Sequence, residues 1–126
     1  MPKLTPAGLL IIFFTVAFTV IGQLLVKKGM LDVGASPAQF AMLPQFIWRA
    51  FTNLYVLAGF LCALLAAVSW IVAISRLDLS VAYPFLGLGI VLVLALSGIV
   101  FGEAVPGNRW LGVIIVCVGL IVAARG

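Results

Sequence analysis

The chain alternates between long apolar runs and short polar breaks, and the spacing of the breaks sets the expected architecture. Residues 6–26 carry no charge, and residues 54–74, 81–101 and 110–124 form three further apolar runs. About 20 apolar residues cross the hydrocarbon core of a bilayer as a helix. The first three runs reach that length. The fourth gives about 22 Å at 1.5 Å per residue, and more if its helix starts back near Pro106. Turn chemistry fills the breaks: Arg76 and Asp78 after the second run, Gly102 and Glu103 after the third, then Pro106-Gly107-Asn108. Asn53 is placed to cap the second span. The first run is too long for a secretory signal, and Gln23, Lys27 and Lys28 stand where a small-residue cleavage site would follow.

Residues 29–53 read as neither a span nor a plain turn. Gly34, Ser36, Pro37 and Pro44 interrupt them, while Phe40, Phe46, Ile47, Trp48 and Phe51 keep them apolar. Ser36-Pro37-Ala38-Gln39 has the pattern of an N-cap, a first-turn proline and a glutamine three residues on. The expectation is a short helix from that point, interrupted near Pro44 and lying in the membrane interface with Trp48 and Arg49 at headgroup depth. Small residues mark expected helix contacts. Gly59, Ala63 and Ala67 repeat every four residues in the second span, and Gly112 and Gly119 share a face of the fourth.

The pattern therefore predicts an all-α integral membrane protein, a single domain over residues 1–126. It has four transmembrane helices and a short interfacial helix between the first and second. Composition agrees: 66% of residues are hydrophobic and 8% charged, where a soluble domain carries about a quarter charged. The net charge of +4 is scattered over span ends. It forms no basic cluster with interleaved aromatics, so no nucleic-acid partner is expected. The chain has no histidine, and Cys62 and Cys117 lie inside apolar runs, where cysteine behaves as a small hydrophobe. The reading is of no metal, no cofactor and no enzyme activity. Four spans put both termini on one side, with Lys3, Arg76 and Arg125; Lys27, Lys28, Arg49 and Arg109 fall on the other. That difference is too small to set orientation, leaving either insertion, or pairing with an oppositely oriented copy, open.

Candidate chemistry concentrates in two places. Residues 81–91 combine Tyr83, Pro84, Gly87 and Gly89 at one end of a span. Pro84 cannot donate a helix bond, so the carbonyl of Ser80 is left free. Such a break survives in a membrane where it packs on protein or faces a wet cavity, and the glycines permit close approach. Pro84, Gly87 and Gly89 are thus a candidate hinge or a packed kink. Gln23 and Lys27 lie one turn apart on one face of the first span. Lys27 reads either as a snorkelling anchor or as the cationic end of a cavity for an anionic head group, a phosphate above all; Lys28 reads as an anchor. Tyr83 is either an interfacial anchor or a hydroxyl ligand, and Ser69 and Trp70 either line the same cavity or pack. Glu103 follows a helix C-terminus, where negative charge is disfavoured, so it pairs with Arg109 or sits near the start of the fourth helix, with a role in a gate or proton coupling as the functional alternative. A proton-driven cation exporter needs an intramembrane acid. Residues 6–26 hold none, and Asp32, Asp78 and Glu103 lie at span ends or in loops. That absence favours an anionic substrate.

Four spans in so short a chain resemble the drug/metabolite transporter superfamily, which includes the small multidrug resistance proteins and EamA-type halves. More closely, Val20-Ile21-Gly22-Gln23-Leu24-Leu25-Val26-Lys27 resembles the Gly-Gln-x-x-x-Lys end of span one in the small subunits of the aminoarabinose-phosphoundecaprenol flippase. Leu79-Ser80-Val81-Ala82-Tyr83-Pro84 resembles their Ala-Tyr-Pro start of span three, and Glu103 with Arg109-Trp110-Leu111-Gly112-Val113 and Gly119 resembles their end. The resemblance implies a multi-pass protein of the bacterial inner membrane that moves a polyprenyl-phosphate-linked sugar between leaflets. It implies a homodimer, or a heterodimer with a similar small subunit, and substrate contacts at Gln23, Lys27, Tyr83 and Glu103. Two other classes stay open: a proton-coupled quaternary-cation exporter depending on Glu103, and a non-transporting scaffold subunit.

Overall fold

A computed structural model describes residues 5–125; Lys3, counted above with the termini, lies outside the described residues. The elements in order are α1 (Pro6–Val33), a 3-10 turn (Phe40–Met42), α2 (Leu43–Thr52), α3 (Leu54–Arg76), α4 (Leu79–Phe101) and α5 (Gly107–Arg125). Of these α1, α3, α4 and α5 are long and apolar enough to cross a membrane. The all-α, four-span reading holds.

Local chemistry explains where each helix begins and ends. Thr5 accepts the Gly8 N–H at 3.0 Å and Pro6 occupies the first turn, so α1 starts with a side-chain cap and a preset φ. It runs past its apolar stretch to Val33 and closes at Gly34, φ 97°. Lys27 and Lys28 are therefore inside the helix rather than after it. Lys27 stands about 32 Å from the start of α1, close to the hydrocarbon thickness of about 30 Å. Asn53 caps α3 as expected, its side-chain oxygen accepting from Tyr55 and Val56 at 3.0 and 3.3 Å. α4 starts at Leu79 and continues unbroken through Pro84 to Phe101. α5 starts at Gly107, three residues before the apolar run, which brings it to about 28 Å.

The interfacial segment departs from expectation. No helix forms from Ser36 to Gln39; the chain there is irregular, and helix begins at Leu43 with Pro44 in its first turn. Proline lacks an N–H, and the first turn is where no acceptor awaits one, so Pro44 opens α2 instead of interrupting it. Trp48 is 71% exposed, while Leu43, Phe46 and Ala50 turn partly inward. Arg49 donates to the Val33 carbonyl at 3.1 Å and so ties α2 to the end of α1.

α1 is the central helix, packed most extensively on α3 and less so on α4; α3 and α4 barely touch each other. The α1–α3 seam is a close backbone approach. A Cβ on Gly22 would stand 3.0 Å from the Gly59 carbonyl oxygen, and one on Gly29 would stand 2.9 Å from the Val56 nitrogen. A hydroxyl pair adds to it: Thr15, buried, donates to Ser69 at 2.8 Å, and Ser69 donates to the Ile11 carbonyl at 3.1 Å. The buried core of Ile12, Val16, Val20, Ala73, Leu77 and Ala82 joins α1 to both helices in the half of the bundle next to the α3–α4 turn. α5 packs on α4 alone, with Leu120 entering the space left by the missing side chain of Gly87. Gly112 and Gly119 meet nothing within 4 Å, so the close packing expected of that face is not made within the chain.

Candidate functional site

Because α3 and α4 flank α1 without meeting along their length, they enclose a groove of about 1050 Å³ with α1 as its back wall. Residues of α1, α3 and α4 line it, and none of α5 does. Most of the lining is apolar. Gln23, Lys27, Tyr83 and Glu103 all lie on it.

These four residues do not converge on one point. Lys27 and Glu103 meet at one end, Nζ to Oε1 3.7 Å, with both side chains about half exposed. Glu103 thus pairs with Lys27 rather than Arg109, because Gly102 in the left-handed region (φ 64°, ψ 22°) ends α4 and reverses the chain. Gln23 sits one turn below Lys27 on α1. Tyr83 is at the other end, packed edge-on to Trp70 with ring centroids 5.4 Å apart. From Tyr83 to Phe101 the helix rises about 27 Å. Tyr83 and the charged pair therefore cannot hold one phosphate at the same time.

α1 supplies more polar lining than Gln23 and Lys27. Thr15, Thr19, Gln23 and Lys27 recur every four residues and form a polar stripe along the back wall. Thr19 returns its hydroxyl to the Thr15 carbonyl at 2.7 Å. The two threonines were legible as polar interruptions at helical spacing in an uncharged run. Of the other candidates, Trp70 lines the groove while Ser69 is satisfied across the α1–α3 seam. Lys28 turns away from the groove and stands over the Tyr55 ring, 4.7 Å from its centroid. The candidate hinge residues divide. Pro84 and Gly87 face the α4–α5 side, and Gly89 lines the groove, where a Cβ would meet Val16 and Val20 at an ordinary 3.8 Å.

Four spanning helices around a polar-backed groove define a small multi-pass membrane protein. Sequence comparison places it more narrowly. A probable 4-amino-4-deoxy-L-arabinose-phosphoundecaprenol flippase subunit ArnE of Pseudomonas syringae pv. syringae is 32% identical over 108 residues, covering 85% of this chain and 91% of the relative. The subunit of the same name from Salmonella paratyphi C is 32% identical over 105 residues, 81% of this chain and 95% of its own. The uncharacterized protein y4nH of Sinorhizobium fredii is 34% identical over 107 residues, covering 84% and 85%. No family model matches, and no solved structure matches. The chain belongs to the family of small ArnE-type flippase subunits.

Proposed function

We propose that this chain is one subunit of a flippase of the bacterial inner membrane, moving a polyprenyl-phosphate-linked sugar of the kind named for its relatives between leaflets. The observation that carries the reading is Lys27: a cation at the edge of the hydrocarbon, facing an apolar groove, one turn above Gln23 on a polar stripe. An ionisable group at that depth is costly unless it faces a cavity or a partner. The head group enters the groove with its phosphate on Lys27 and Gln23, while the sparse α3–α4 contact leaves a side through which the tail stays in lipid. Tyr83 and Trp70 meet the head group at the other end of its path. Pro84, whose missing N–H leaves the Ser80 carbonyl without a helix partner, is the place for α4 to bend.

The functional unit contains a second, similar subunit, of the same or a related chain. In support, α5 touches only α4 and leaves Gly112 and Gly119 uncovered. A cation exporter needs an acid open to proton and drug in turn, and the Lys27 ammonium beside Glu103 repels a ligand that brings only a cation. The test is lipid flipping in proteoliposomes holding this chain with its partner subunit. Lys27→Gln should cut transport of the aminosugar lipid by at least about tenfold, the loss of one charge-assisted phosphate contact, with the melting temperature unchanged. Transport at the wild-type rate would remove Lys27 from the mechanism.

A further inference from the structure

The Lys27–Glu103 pair raises a difficulty for a simple anion site. A phosphate that reaches Lys27 also comes within ion-pair range of the Glu103 carboxylate, which repels it. The ion pair must also be given up when the phosphate arrives, leaving Glu103 facing a groove that is mostly apolar. A ligand with only negative charge therefore binds against both effects. A ligand that brings a phosphate and a cation together meets neither, because its phosphate takes Lys27 and its cation takes Glu103. The geometry allows the exchange. Lys27 has a long flexible stem, and Glu103 sits in the loop after α4, with both groups about half exposed.

Resting on the assignment of Lys27 to the phosphate, we infer that Glu103 is a specificity residue: it makes the site refuse a bare lipid phosphate and accept one whose sugar carries a free ammonium. The named substrate of the relatives has both groups. The same lipid stripped of its sugar has only the phosphate, so a flippase built this way does not carry the bare carrier lipid on the same path. Gln23 and the threonines below it are neutral and serve either ligand equally; Glu103 alone among the groove residues separates them. Lys28, stacked over Tyr55 outside the groove, supplies no second cation there.

The experiment measures binding of two lipids to the full chain with its partner subunit in detergent: undecaprenyl phosphate, and the same lipid bearing 4-amino-4-deoxyarabinose. Wild type should prefer the aminosugar lipid. In Glu103→Gln the bare phosphate should bind about tenfold tighter and the aminosugar lipid more weakly, the scale of one like charge removed at ion-pair range from a half-exposed site. Glu103→Asp should keep the preference. On the unmodified protein, N-acetylating the sugar amine should lower affinity towards that of the bare phosphate, a test that needs no variant to fold. The proposal is overturned if Glu103→Gln shifts both lipids by the same factor, or if acetylation has no effect. Those results leave Lys27 in place as long as Lys27→Gln still weakens both lipids. If Lys27→Gln changes neither, the phosphate assignment itself is wrong.

Discussion

Gly59→Ala gives the sharpest test of how this bundle is held together. The added Cβ would stand 2.8 Å from the Gly22 carbonyl oxygen and 3.0 Å from the Val26 nitrogen, where ordinary contact begins at 3.4 Å. The Val26 Cγ2 is nearer still at 2.5 Å, and because the other two neighbours are backbone, turning that side chain aside does not relieve the clash. The helices must part by about 0.6 Å at that point, along the most extensive interface in the protein. Overpacking of this kind costs about 1–3 kcal/mol, well above the gain of up to about 1 kcal/mol in helix propensity from glycine to alanine. The assay is the apparent melting temperature of the purified protein in one detergent, with Gly89→Ala as internal control. At Gly89 the new methyl meets Val16 and Val20 at 3.8 Å, so that variant should melt at or slightly above wild type. Gly59→Ala should melt several degrees below it. Equal melting of the two variants would refute the argument, because the chemical change is identical and only the neighbours differ.

Two further outcomes follow from other contacts. Asn53→Ala removes the acceptor of the Tyr55 and Val56 N–H groups and should cost about 1 kcal/mol by the same melting assay, with Asn53→Asp retaining the cap; an unaffected alanine variant would mean that α3 starts elsewhere. Gly112→Leu with Gly119→Leu adds bulk where the chain has no neighbour, so it should leave the melting of the isolated chain unchanged and weaken association with the second subunit, read by light scattering in detergent. A fall in the isolated chain's stability would show that this face packs internally after all.

Much of this was legible because bilayers impose strict rules on sequence. Uncharged runs had to be helices, so the four spans followed from residues 6–26 and their three counterparts. Asn53 and Gly102 announced their helix ends by local chemistry alone. Pro44 was misread because first-turn and interrupting prolines look alike until the cap before them is known; with Ser36 capping nothing, the helix simply starts later. The partnership of Lys27 with Glu103 joins residues from the first span and the third, and only the packing of α4 on α1 brings them together. The same packing separates Tyr83 from them. Sequence placed all four residues in one family motif set, while their spacing along the groove came from the direction in which α4 runs.

α1 and α3 form the firmest pair. They share a seam of glycines and a hydroxyl pair, both of which resist separation. α4 packs about as extensively on α1 as on α5, where Leu120 fills the space beside Gly87. The buried core lies near the α3–α4 turn, and Lys27–Glu103, the only ion pair among the described residues, lies at the opposite end. A half-exposed ion pair contributes at most about 1 kcal/mol, far less than a packed core of six apolar residues. Resistance to opening is therefore concentrated at the turn and weak at the charged end. The groove is thus held least firmly at the end that carries the Lys27–Glu103 pair.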